Sequence, residues 1–105
     1  TWAESAARLV AVAAGRAAAD LVVTGGRLVN VQSREVLDGW QVAVADGRFG
    51  YVGPDAGHCI GPDTRVIDAG GRYLIPGLCD GHMHIESGML TPAEFAAAVI
   101  PHGTT

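Results

Sequence analysis

The sequence predicts an α/β protein: an N-terminal helix, a small β-sandwich, and a last strand that leads directly into a second helix. Three observations carry this reading. Between Asp20 and Tyr73, short runs of Val, Leu and Ile recur between glycine-rich turns. Leu74 to His84 is an apolar run opened by Pro76-Gly77, the pattern of a buried strand. Thr91-Pro92-Ala93-Glu94 then supplies an N-cap, a proline at the first helical position and a glutamate three residues after the cap.

The first element follows from spacing. Trp2, Ala6, Leu9, Ala13 and Ala17 fall on one helical stripe, so residues 1–19 read as an amphipathic helix packed on its own protein. A signal peptide would need a continuous apolar core of roughly 7–15 residues. Here the run from Leu9 to Ala14 is shorter, and Gly15-Arg16 breaks it. No stretch approaches a transmembrane length.

Residues 20–73 form the sandwich, with strands expected over Leu21–Thr24, Arg27–Val31, Gln41–Ala45, Phe49–Val52 and Val66–Asp68. Gly25-Gly26, Ser33-Arg34-Glu35, Asp46-Gly47 and Gly70-Gly71 punctuate them. Asp46-Gly47 between two apolar runs is a strong hairpin signal. Gly25-Gly26 is a tight turn and not a phosphate loop, because no Gly-Lys-Ser/Thr follows it. Gly53 to Thr64 reads as a loop, with His58 solvated and Cys59 exposed within it. Residues 74–105 are the strand–helix unit, in which Cys79 reads as a small core residue.

Composition describes a cytoplasmic globular protein. Hydrophobic residues make up 49% and charged residues 17%, with a net charge of −4, which excludes a disordered tail or a basic nucleic-acid surface. All seven basic residues are arginines, spread singly along the chain with no basic stripe. Neither nucleic acid nor membrane is expected as a partner. Cys59 and Cys79 lack the spacing of a redox or zinc pair.

The chemistry lies in Asp80-Gly81-His82-Met83-His84-Ile85-Glu86. Alternate residues of a strand point to one side, so His82 and His84 would share a face with Asp80 and Glu86. Neutral imidazoles converging on one point suit a divalent metal. Two ordinary buried histidines would need two separate hydrogen-bonding solutions, which favours the metal reading. Asp80 lies one pleat deeper and fits a hydrogen-bonding role behind the ligands. The pair sits at the C-terminal end of its strand, where parallel α/β folds build active sites. His102, after Pro101 at a helix end, reads as a helix-terminus contact and not a ligand.

The stretch Pro76-Gly77-Leu78-Cys79-Asp80-Gly81-His82-Met83-His84 resembles the strand-one signature of the amidohydrolase superfamily, Pro-Gly-x-x-Asp-x-His-x-His. Its continuation, Ile85-Glu86-Ser87, Met89-Leu90-Thr91-Pro92 and Pro101-His102-Gly103-Thr104-Thr105, is similar to the bacterial adenine deaminases, as are the lead-ins around Ala19-Asp20-Leu21-Val22-Val23 and Val66-Ile67-Asp68-Ala69-Gly70-Gly71. The family usually has a second serine where this chain has Gly88.

The resemblance implies that residues 20–73 are part of a composite β-sandwich. It also implies that 74–105 begin an incomplete (β/α)8 barrel, a fold of roughly 250 residues. It implies hydrolytic deamination of adenine to hypoxanthine and ammonia by a metal-activated hydroxide. His82 and His84 would hold one metal of a two-ion centre of manganese, iron or zinc, with Glu86 and Ser87 as substrate or active-site contacts. A small purine substrate and a homo-oligomeric full-length enzyme of purine salvage follow from the same likeness, and so does inactivity of the 105 residues alone. Two other readings stand beside it: another amidohydrolase, acting on a cyclic amide or an N-acetyl group, and a truncated, non-catalytic module.

Overall fold

A computed structural model describes residues 2–105. They divide into two compact units, Thr1–Ile75 and Pro76–Thr105.

In the first unit, helix α1 (Trp2–Ala13) is followed by strands β1 (Leu21–Thr24), β2 (Arg27–Asn30), β3 (Glu35–Asp38), β4 (Gln41–Ala45), β5 (Arg48–Gly53), β6 (Arg65–Asp68) and β7 (Tyr73–Leu74). They form a four-stranded sheet ordered β5-β4-β1-β6 and a three-stranded sheet ordered β3-β2-β7. β1 is antiparallel to β4 and parallel to β6, with Val22 opposite Ala43 and Val66. Two sheets were expected, but the buried cluster lies between α1 and the larger sheet. Val12, Ala19, Val22, Ala43, Ala45, Ala56 and Cys59 make it up, with Leu9, Ala17 and Tyr51 packed against it.

The helix therefore faces the sheet through Leu9 and Val12, one turn apart, while Trp2 at the start of the expected stripe is exposed. Val12 reaches the sheet where the β4–β5 register shifts between Ala43 and Val44. A Cβ at Gly50, inside that irregularity, would lie 3.2 Å from Val12 Cγ1, so the absent side chain allows the close approach.

Turn chemistry explains the remaining connections. Asp46 and Gly47 both have positive φ, 52° and 67°, as a two-residue type I′ hairpin requires. Gly25, at φ 65°, turns the chain from β1 into β2, and a Cβ there would lie 2.1 Å from Asp68 Oδ1. β3 was not expected. It folds back on β2 because Asn30 Oδ1 accepts from the Gln32 and Ser33 N–H groups while Arg34 takes a left-handed φ of 60°.

In the loop from Gly53 to Thr64 the expectation for Cys59 is corrected, and that for His58 gains two contacts. Cys59 is fully buried, in a short 3₁₀ turn (Gly57–Cys59), and its thiol donates to the Val12 carbonyl at 3.4 Å. His58 is exposed, yet its Nε2 meets the Ala13 carbonyl at 3.1 Å and its ring stands edge-on to Tyr51. The loop closes over the end of α1, which a composition of glycine and proline does not reveal. Cys79, expected in a core, is exposed.

Burial pushes the Cys59 thiol up, with Asp55 adding to the shift, so it holds less reactive thiolate. Titration of the native chain with an aromatic disulfide reagent should modify one thiol quickly and the second only after denaturation. Cys79→Ser should abolish the fast phase; a fast phase that survives would contradict the assignment.

Arg8 of α1 donates to both Asp20 and Asp46, and Asp20 Oδ2 also accepts from the Asp46 N–H at 2.8 Å. Arg8 chiefly, and the Asp46 amide next, hold the Asp20 carboxyl below the usual carboxylate range. A folded value below the unfolded one stabilises the fold above about pH 4, and that contribution is lost as pH falls through the folded value. Thermal melts from neutrality into acid should therefore show a smaller acid-induced drop in Asp20→Asn than in the parent. The difference is modest because the pair is partly exposed. An identical acid drop in both would refute the contribution.

Candidate metal centre

The second unit begins at Pro76 and contains helix α2 (Pro92–Val99), flanked by 3₁₀ turns at Ile85–Gly88 and Ile100–His102. The strand expected from Leu74 to His84 is not formed. Beyond β7 the segment makes one parallel bridge, Leu78 to Thr104, with the Leu78 N–H donating to Gly103 O at 2.8 Å and the Thr105 N–H to Leu78 O at 2.9 Å. Residues 76–84 are all exposed. An apolar pattern proposes a strand, but a ladder also needs neighbours, and among the described residues this segment pairs only with 103–105.

α2 starts as its sequence dictates. Thr91 Oγ1 accepts from the Glu94 N–H at 3.3 Å, and Glu94 Oε2 accepts from the Thr91 N–H at 2.9 Å, closing the capping box ahead of Pro92. The Thr91 amide, and then its hydroxyl, hold the Glu94 carboxyl below its ordinary range.

The two histidines meet without the strand. His82 Nε2 and His84 Nε2 lie 2.8 Å apart, with ring centroids 4.8 Å apart and planes at 53°. Local hydrogen bonds produce the convergence. Asp80 Oδ1 accepts from the His82 N–H at 3.0 Å, bending the backbone before the pair. His84 precedes the 3₁₀ turn, and its carbonyl accepts from the Ser87 N–H at 3.2 Å. Glu86, in the first turn, brings Oε1 to 2.9 Å from His84 Nδ1.

That last contact orders the protons. A carboxylate only accepts, so His84 Nδ1–H donates to Glu86 and leaves a lone pair on Nε2. His82 Nε2–H then donates across the 2.8 Å gap. His84 first, and Glu86's own amide next, hold the Glu86 carboxyl below the usual range. Two imidazole nitrogens so close could both serve one ion at the usual distance of roughly 2.0–2.1 Å. The donor set therefore suits a metal but does not complete a site. Among the described residues no group of three or more His, Cys, Asp and Glu side chains could hold a metal.

Asp80 is directed to the His82 backbone rather than to either ring, and Ser87 contributes its amide to the 3₁₀ turn. The Glu86–His84 bond was missed in the sequence because a strand reading sends Glu86 past the strand end; the His-x-Glu spacing was its only signal. His102 closes the last 3₁₀ turn, ahead of Gly103 in a left-handed cap.

No family model matches the chain. Curated relatives do. The chain is 70% identical over 105 residues to an adenine deaminase of Ruegeria pomeroyi, covering all of this chain and 17% of that protein. It is 70% identical over 104 residues to one of Paracoccus denitrificans, again covering 17% of it. Among solved structures, an L-hydantoinase (dihydropyrimidinase) of Arthrobacter aurescens matches with a TM-score of 0.52 and 33% identity, over 63% of this chain and 14% of that one. Over essentially its whole length this 105-residue chain is thus similar to adenine deaminases, and it spans about a sixth of the length of each.

Proposed function

We propose that the protein carrying this chain hydrolyses adenine to hypoxanthine and ammonia at a divalent metal centre to which His82 and His84 contribute. One observation carries the proposal: the two imidazole nitrogens converge to 2.8 Å inside a chain 70% identical to adenine deaminases. A bound metal would lower the pKa of water toward neutrality and so make it a nucleophile at physiological pH. His84 Nε2 would present its lone pair to that ion, and His82 Nε2 would do so once its proton moves to Nδ1. Asp80 holds the backbone that carries His82, and the Glu86–Ser87 turn would form the adjacent wall against which a small purine lies. Manganese, iron and zinc all accept imidazole nitrogen, and a second ion with further ligands would be supplied from elsewhere in the full-length protein. Residues 74–105 would then be the first strand and helix of its barrel. No helix among the described residues is long and apolar enough to cross a membrane; a cytoplasmic homo-oligomer is part of the same proposal.

The hydantoinase likeness favours one competitor, hydrolysis of a cyclic amide. Adenine is preferred because identity to the deaminases is twice as high and extends over the whole chain. An ammonia-release screen of the full-length protein across adenine, adenosine, cytosine, guanine and simple hydantoins, with ring opening followed for the hydantoins, tests this. Adenine should be the substrate turned over fastest. Hydantoin opening with no ammonia from adenine would transfer the protein to the competitor.

A further inference from the structure

We infer that Glu86 is a positioning residue for His84, holding its ring with Nδ1 protonated and Nε2 unprotonated, so that this nitrogen keeps the lone pair a metal requires. The inference rests on the reading above that His84 is a metal ligand, and adds the device that prepares it. Glu86 Oε1 lies 2.9 Å from His84 Nδ1. That bond fixes both the tautomer and the rotation of the ring, and it raises the basicity of the opposite nitrogen. The nitrogen so prepared is the one that faces His82 Nε2 at 2.8 Å.

The backbone makes the pairing local. Glu86 occupies the first turn of the 3₁₀ helix that starts immediately after His84. That helix is held by the Ser87 N–H donating to His84 O and the Met89 N–H to Glu86 O. The carboxylate thus reaches back two residues without a tertiary contact. At side-chain exposures of 62% and 74% the pair adds little to fold stability, so its loss is separable from unfolding. A residue contacting only substrate would have no reason to satisfy His84 Nδ1.

The test measures zinc affinity of the full-length protein by competition with a chromophoric chelator, and adenine kinetics in parallel. Glu86→Ala should weaken zinc binding roughly 10–100-fold. Glu86→Gln, whose amide oxygen still accepts from Nδ1–H, should recover most of that loss. In the metal-free protein, nitrogen NMR of the imidazoles should show the Nδ1–H tautomer of His84 in the parent and a shift toward Nε2–H in Glu86→Ala. Unchanged zinc affinity and tautomer in Glu86→Ala, with a raised KM for adenine, would overturn the inference while leaving the metal reading intact. Unchanged zinc binding in His84→Ala would instead remove the reading on which it rests.

Discussion

Replacing His82 or His84 with alanine is expected to strip the full-length protein of most of its metal and nearly all of its activity, while leaving it folded. The rings bond to each other, His84 also to Glu86, and both residues are exposed. Neither side chain supports the buried cluster, which is built from Val12, Val22, Ala43 and Cys59 with their neighbours. Truncation therefore removes a proposed ligand without opening a cavity. The loss of activity should exceed the roughly 10–100-fold typical of a partner behind the ligands. Asp80→Asn gives the internal comparison: its remaining amide oxygen can still accept from the His82 N–H, so the bend survives and the defect should be the smaller one. The double alanine variant should be little worse than either single one, because residues acting as a unit are not additive. Elemental analysis checks this directly; full metal content in both single variants would sink the ligand assignment.

What the sequence revealed and what it hid divide along local and non-local physics. The I′ turn at Asp46-Gly47 and the capping box at Thr91 and Glu94 are decided within four residues, and both are found as read. Central strands such as Gln41–Ala45 were legible because alternation and β-branched residues mark them. β3 was hidden: Glu35-Val36-Leu37-Asp38 has only two apolar residues, and Asn30 some residues earlier creates its hairpin. The two cysteines were read the wrong way round for one reason. A glycine- and proline-rich loop looks exposed until it closes on a helix, and an apolar run looks buried until its partners are counted. The same error made a strand of Leu74–His84. The histidine pair survived it, since the Asp80 bend and the Glu86 hydrogen bond bring together rings that the pleat was expected to align.

That missing strand sets the expectation for the 105 residues on their own: weak divalent metal binding, no deaminase activity and self-association. A catalytic metal site normally takes three protein ligands and an open position. As proposed, His82 and His84 would supply two, and among the described residues no group of three or more His, Cys, Asp and Glu side chains could hold an ion. The second unit exposes large apolar side chains: Leu78, Met83, Leu90 and Met89, the last 94% accessible. β6 adds an edge strand in the first unit, with Val66 and Ile67 exposed. Unpaired edges and contiguous apolar surface are what drive chains to associate. Light scattering across a concentration series should show mass rising with concentration, and calorimetric titration with zinc should give weak, incomplete binding. A monodisperse monomer that takes up one equivalent of zinc tightly would refute this. It would require a third ligand to swing onto the His82–His84 pair from within these residues, with Glu86 leaving His84 the nearest carboxylate able to do so.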